Sequence, residues 1–391
     1  MYGRTQFGIG QILPIAKKAD MTQARLNPAP RSLERLTKPL QRALQHPWVS
    51  GIVRESAVED SLQALHPLLS LSQVRVRVLR VLQETPDTRS FVLQPNALWR
   101  GAQAGQYVGV QMEVNGRRVQ RCYSLSSAPG ERELVITVKR QPGGLLSEHL
   151  HTEVQAGSVL TLTQAMGDFT LPALLPERLL LLSAGSGITP VMAMLRALHA
   201  SGYAGDLLFV HACRTPEDLI FASHLHVLAA EWPSLRLHLH FTAERGRLSL
   251  EDLTALVPDL ASRPTWVCGP GAWMDALHQH WQQAGYSAPL HSERFGTPPV
   301  VHASSDTPAQ VLLARSGKQF ETQGGASLLE QAERAGLQPA HGCRMGICRA
   351  CQCTKRSGTV QNLQTGELCS EPDQAIRLCI SAARSDLQLD L

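Results

Sequence analysis

The stretch Gly342-Cys343-Arg344-Met345-Gly346-Ile347-Cys348-Arg349-Ala350-Cys351 sets three thiols in one tight loop, and a fourth follows after 27 intervening residues, in Leu378-Cys379-Ile380. Six of the nine cysteines fall within the last 49 residues, so their chemistry is local to this end of the chain. Residues 1–20 hold only a broken apolar stretch followed by Lys17-Lys18, which is not the pattern of a secretory leader. The expected compartment is therefore reducing and cytoplasmic, where clustered thiols bind metal more often than they pair. Structural zinc sites combine two close ligand pairs across a longer insert. Three thiols in one loop do not fit that, and Cys351-Gln352-Cys353 is neither a zinc pair nor a Cys-x-x-Cys redox motif. The expected ligands are Cys343, Cys348, Cys351 and Cys379, with Cys353 and Cys369 as bystander thiols.

Spacings of four, two and then many residues match plant-type [2Fe–2S] ligation. Gly342 and Gly346 relieve the backbone crowding that wrapping a cluster imposes. Around the loop, residues 310–314 and 318–322 read as strands flanking the turn Arg315-Ser316-Gly317, and Ser327 opens a helix over 328–335 that Gly336 stops. From 309 to 391 the chain resembles a plant-type ferredoxin domain, an α+β β-grasp fold.

Outward from that segment, 391 residues allow two to four domains. No apolar run approaches the ~18 residues a membrane span needs, and a net charge of +4 spread along the chain gives no reason to expect nucleic acid. Residues 296–308 hold three prolines without periodicity and read as a semi-stiff linker. Before it, residues 179–183 form an apolar strand running into Ala184-Gly185-Ser186-Gly187-Ile188-Thr189-Pro190 and a helix over 191–199, with Thr189 as cap and Pro190 in the first turn. A glycine turn between strand and helix brings amides and the helix dipole onto a pyrophosphate. Strands ending at Cys213-Arg214, before Arg245-Gly246-Arg247, and at Cys268-Gly269-Pro270 complete an α/β parallel-sheet nucleotide domain over 176–295. Arg214 is expected on the 2′-phosphate of NADPH, with Arg245 and Arg247 either as helpers or as solvated surface arginines, and Cys268 either faces the nicotinamide or is a small buried hydrophobe.

Residues 74–172 alternate like an antiparallel β-barrel, giving an expected flavin domain over 73–175. In Arg121-Cys122-Tyr123-Ser124 alternate side chains share a face, so Arg121 can clamp a phosphate while Tyr123 stacks on a flat ring. Gly143-Gly144-Leu145-Leu146-Ser147 opens a helix, a second anion site, and two phosphate sites favour FAD over FMN.

Arg-x-Tyr-Ser, Gly-Gly-x-x-Ser, Gly-x-Gly-x-x-Pro, Cys-Gly-Pro and Glu-x-Phe, in that order before a ferredoxin-like tail, resemble the ferredoxin–NADP reductase superfamily, in particular bacterial reductases with a C-terminal [2Fe–2S] domain. The resemblance implies that Arg121, Tyr123 and Ser124 hold FAD, with Gly143, Gly144 and Ser147 at its pyrophosphate. It places Gly185, Gly187, Thr189, Pro190, Gly269 and Pro270 on NAD(P)H, and Ser124, Cys268 and Glu293 along the hydride path. It implies hydride transfer from NADPH or NADH to FAD, then single electrons through the cluster to an acceptor such as a membrane fatty-acid desaturase or an oxygenase. Two other readings stay open: an FMN/NADH reductase of an aromatic-ring hydroxylase, and a redox-responsive binding module without turnover. Over residues 1–72, Leu33, Leu36, Leu40 and Leu44 suggest a helical extension. One reading packs it on the barrel; the other makes it a docking or membrane-surface element for a desaturase, which its basic excess would suit.

Overall fold

The computed structural model describes residues 55–114, 117–295, 308–323, 325–342, 346, 351–363 and 366–391. The leucine pattern at 33–44, the linker at 296–307, Cys343 and Cys348 lie outside the described residues. A helix, α1 (Glu55–Leu65), leads into the first sheet. The segment after it is tied down where Asn96 Nδ2 donates to the carbonyls of Leu68 and Gln73, both at 3.1 Å, and Leu68, Leu69 and Leu71 are buried.

The first sheet comprises β1 (Val74–Thr85), β2 (Thr88–Pro95), β3 (Tyr107–Val114), β4 (Arg117–Ser124), β5 (Leu134–Lys139) and β6 (Val159–Leu162). Its order is β4-β3-β6-β1-β2-β5 and every pairing is antiparallel. Period-two alternation makes the strands: Val74, Val76 and Val78 are buried while Arg75 and Arg77 face outward. A bridge between Leu125 and Ile136 joins the two edges, so the sheet curls into a barrel around Phe91, Val108, Val110 and Ile136. α2 (Leu145–Thr152) caps that core with Leu146 and Leu150.

The second sheet is wholly parallel, in order β11-β10-β7-β8-β9. It is built from β7 (Arg178–Ala184), β8 (Asp206–Cys213), β9 (Leu235–Phe241), β10 (Thr265–Gly269) and β11 (Leu290–Arg294). Leu179 to Leu182 are all 0% exposed, alternating between the two core faces. A strand covered on both sides reads as a continuous apolar run for this reason, and each leucine contributes about 1.5–3 kcal/mol. α3 (Ile188–Ala200) and α4 (Ala222–Glu231) cover one face. α5 (Thr242–Arg245) follows β9, and α6 (Leu250–Leu256) and α7 (Gly271–Ala284) cover the other face. α3 stops at Gly202 (φ +68), where Tyr203 and Gly202 amides bond the carbonyls of Leu198 and His199, both at 3.0 Å, a Schellman stop. After β9 the chain returns to the far side of β7, so β7 and β10 flank the topological switch point where such sheets bind ligands.

The C-terminal unit contains β12 (Ala309–Leu313), β13 (Gln319–Thr322), α8 (Leu328–Arg334), β14 (Gln352–Ser357), β15 (Val360–Asn362), β16 (Leu368–Cys369), β17 (Gln374–Arg377), β18 (Ser381–Ala383) and β19 (Leu387–Leu389). Its main sheet runs β13-β12-β19-β14-β17, with β12 and β19 parallel, and Leu328, Leu329 and Ala332 of α8 join its core. Ser327 caps α8 by accepting from the Glu330 amide.

Candidate functional site

At the carboxyl ends of β7 and β10, sequence-distant groups converge. Parallel register aligns Ser183 with Cys268 and Cys268 with Glu293. Ser124, the last residue of β4, donates from Oγ to Glu293 Oε2 at 3.4 Å, so the barrel and the parallel sheet meet at Ser124, Cys268 and Glu293. Burial pushes the Glu293 carboxyl up to about 8, with the Ser124 hydroxyl pulling weakly the other way. Burial, then the Glu293 charge, raises the Cys268 thiol well above its ordinary range. That thiol is a buried proton-bearing group, 0% exposed, rather than a nucleophile.

Gly187 shows why the turn is glycine-rich. A Cβ there would sit 2.2 Å from the Cys268 carbonyl oxygen, so only glycine lets α3 approach β10 this closely. Gly185 differs: it needs φ +55 and faces open space, as a phosphate cradle requires. One expectation is corrected here. Thr189 does not cap the helix; the cap is Gly187 and the helix starts at Ile188. A 3₁₀ turn over Gly185–Gly187 runs straight into α3, which places Thr189 inside the first turn with Oγ1 donating to the Ser186 carbonyl at 3.1 Å.

On β4, Arg121 opposes Val110 and Tyr123 opposes Val108. Tyr123 is partly buried against the barrel core, its hydroxyl proton held above the usual range by burial, and Arg121 Nη1 donates to the Gln120 carbonyl at 2.8 Å. Gly144 is the residue before α2, and Gly143 takes φ +72. Ser147 Oγ is already engaged, accepting from the Gln141 amide at 3.1 Å and donating to the Gly144 carbonyl at 3.2 Å. Arg214 holds Asp218 through Nε at 3.0 Å and Nη2 at 3.2 Å, and its carbonyl accepts from the Ala243 amide at 3.0 Å. That bond ties the first turn of α5, which ends at Arg245, to the end of β8; Arg245 and Arg247 are exposed. Gly269 lies over Trp273 of α7, and Pro270 precedes that helix.

Sequence reading missed Tyr107 and Gly167. A Cβ on Gly167 (φ +109) would lie 2.8 Å from the Tyr107 ring and 3.9 Å from Glu293 Oε1, so both belong to the Glu293 surroundings. It also missed His211, 0% exposed and bonded through Nδ1 to Ser183 Oγ at 2.7 Å. Burial drives His211 down to about 3. Strand register sets His211 against Ser183, whereas Tyr107 and Gly167 come near Glu293 only through the tertiary fold.

Near the cluster loop, Cys351 and Cys379 are 4% and 5% exposed. The Leu378 amide donates to the Cys351 carbonyl at 3.1 Å, and the Gly346 amide donates to Cys379 Sγ at 3.1 Å. Gly346 takes φ +75 with Ile380 2.6 Å from a hypothetical Cβ, and Arg377 donates to its carbonyl. Buried sulfur accepting from a backbone amide is the donor set a [2Fe–2S] cluster uses, so the described residues fit that group. Burial pushes the Cys353 thiol up to about 12.

Comparison with known proteins agrees with this architecture. Family models described as oxidoreductase FAD-binding domain, oxidoreductase NAD-binding domain and 2Fe-2S iron-sulfur cluster binding domain match residues 76–171, 181–279 and 311–384. The chain is 38% identical to an NADPH oxidoreductase of Mycobacterium tuberculosis, over 85% of this chain and 88% of that one. It is 32% identical to a glycine betaine monooxygenase reductase subunit of Pseudomonas aeruginosa, covering 81% and 94% respectively. Among solved structures, phthalate dioxygenase reductase, described as a modular structure for electron transfer from pyridine nucleotides to [2Fe–2S], aligns with TM-score 0.56 and 28% identity. That alignment covers 82% of this chain and 98% of the other.

Proposed function

Because the chain belongs to the ferredoxin–NADP reductase superfamily, as an NAD(P)H-dependent reductase with FAD and a C-terminal [2Fe–2S] domain, we propose that it is the reductase component of an oxygenase system, with NADPH as the better donor. The convergence of Ser124, Cys268 and Glu293 where the barrel meets the switch point carries this reading. Bound FAD supplies the exchange between a two-electron hydride donor and one-electron carriers, and the cluster supplies the single-electron outlet.

In this reading Arg121 holds a FAD phosphate, Tyr123 packs on its ring system, and Gly143, Gly144 and Ser147 line the pyrophosphate. Gly185, Gly187, Thr189 and Pro190 present the start of α3 to NAD(P)H, with Gly269 and Pro270 opposite. Ser124 donates to Glu293, which keeps its proton at neutral pH because burial has raised it. Cys268, with no exposed surface, excludes water beside them. Arg214, Arg245 and Arg247 select the 2′-phosphate; Asp218 neutralises Arg214 until the phosphate displaces it. The four ligands are Cys343, Cys348, Cys351 and Cys379.

The named monooxygenase and dioxygenase reductases support an oxygenase as acceptor. A desaturase at a membrane surface is the competing acceptor, supported by the basic segment at 1–70. No helix among the described residues is long and apolar enough to cross a membrane. Anaerobic titration of the purified protein with NADPH, and separately NADH, tests the reading. Flavin and cluster absorbance should both bleach, more readily with NADPH. Adding a candidate oxygenase component should then restore the cluster absorbance. A flavin that bleaches beside a permanently oxidised cluster would overturn the electron path.

A further inference from the structure

A closed circuit of contacts joins barrel and parallel sheet away from the residues assigned above. On the barrel side, Ser90 Oγ donates to Glu84 Oε1 at 2.6 Å, the Ser90 and Thr137 hydroxyls lie 2.8 Å apart, and Thr137 lies 3.1 Å from Ser126 Oγ. Ser90, Thr137 and Ser126 are buried, and buried hydroxyls must find partners. Ser126 is two residues beyond Ser124, so the row reaches the proposed flavin stretch. From the other side, the Phe221 amide donates to Glu84 Oε2 at 3.3 Å. Arg196 of α3 donates from Nη1 to the Ser126 carbonyl at 2.5 Å, and its guanidinium carbon stands 5.4 Å from the centre of the Phe221 ring, within cation–π range. Arg196 Nη2 is satisfied by His224 Nδ1 at 3.0 Å.

The backbone shows that this junction is specified. Phe221 adopts φ 62 and ψ 25, and among the described residues only Asp373 shares a positive φ without being glycine. A bulky residue in the left-handed region is costly. Here the conformation lets one residue offer its amide to Glu84 and its ring to Arg196. The Ser124–Glu293 contact, at 3.4 Å, is too long to hold two sheets in register by itself. The bond from the charged Arg196 is of the stronger kind.

We propose that Arg196 and Phe221, locked to the barrel through Glu84, are positioning residues for flavin reduction: the circuit fixes the distance and angle at which the carboxyl ends of β7 and β10 face Ser124. This rests on the proposed reading of that face as the meeting place of FAD and NAD(P)H. Reaction rates fall steeply when reacting groups are misplaced by as little as ~1 Å, so loosening the circuit slows the reaction without touching either cofactor.

The test uses FAD- and cluster-loaded protein, mixed anaerobically with NADPH while flavin absorbance is followed. Arg196→Met and Glu84→Leu, which removes both acceptor oxygens from Ser90 and the Phe221 amide, should each lower the limiting rate about tenfold or more. The NADPH concentration for half-maximal rate should stay within about twofold, and FAD and cluster content should be unchanged. Arg196→Lys, keeping a cation over the ring and a donor, should recover most of the loss. The double variant should be no slower than the slower single one, because both cut the same circuit. Unchanged rates, multiplicative losses, or a change confined to the half-maximal concentration would each overturn the proposal. If Arg196→Met does not fold, Glu84→Leu carries the test. A wild-type flavin that neither NADPH nor NADH bleaches would instead defeat the functional reading itself, before any variant is made.

Discussion

Glu293 is held against its own ionisation, since its carboxyl is buried with one weak hydroxyl partner. Its folded value, about 8, lies above the ordinary 4.5. Below about pH 4.5 both folded and unfolded chains hold the proton. As pH rises the unfolded chain ionises first, so the stability associated with this group declines until the folded carboxyl also ionises near pH 8. Glu293→Gln should therefore gain on wild type across that window by a few kcal/mol, seen as a widening gap in thermal midpoints of the ligand-free protein; a constant gap would contradict the buried neutral carboxyl. Ser124→Ala, removing the group that lowers Glu293, should move the alkaline limb of flavin reduction to higher pH and slow the step. Among the thiols, Cys379→Ser should abolish cluster absorbance while FAD remains bound, whereas Cys353→Ser should leave both spectra intact. The proposed ligand pattern is readable as sequence because loop ligands are spaced by local geometry. Tyr107 and Gly167 were not, because their only tie to Glu293 is spatial.

At the scale of elements, the contact between α3 and β10 is decided by one missing methyl group. Gly187→Ala places a Cβ against the Cys268 backbone, which cannot rotate away as a side chain could. The helix start must move off the strand. We expect at least a tenfold weaker apparent affinity for NADPH and a lower melting midpoint, both measurable on the FAD-loaded protein. Gly185→Ala meets no neighbour and pays only for its left-handed backbone, about 1–2 kcal/mol, so its effect should be the smaller. The strand–turn–helix sequence was legible from the four leucines, the glycines and the apolar run that follows. The identity of the cap was not. Threonine is a good cap on propensity, but the 3₁₀ turn over Gly185–Gly187 brings the helix start to Ile188 and leaves Thr189 inside.

Over the whole molecule, the three units separate hydride donor, flavin and one-electron outlet into distinct folds along one chain. A chain ending at residue 295 should keep FAD and reduce a small artificial acceptor with NADPH, yet fail to pass electrons to a protein acceptor that the full chain serves. Equal transfer by the shortened chain would show that the ferredoxin unit is not the outlet. The sequence alone determined that the chain combines an antiparallel barrel, a parallel α/β sheet and a β-grasp unit, and which groups they take. Strand periodicity, glycine turns and ligand spacing are local properties that a few adjacent residues encode. Tertiary structure decided what meets what: Ser124 is 169 positions from Glu293, and Phe221 is 137 from Glu84. Such contacts follow from strand order and from how two sheets face each other, which depend on the packing of both cores together and on no single stretch of chain.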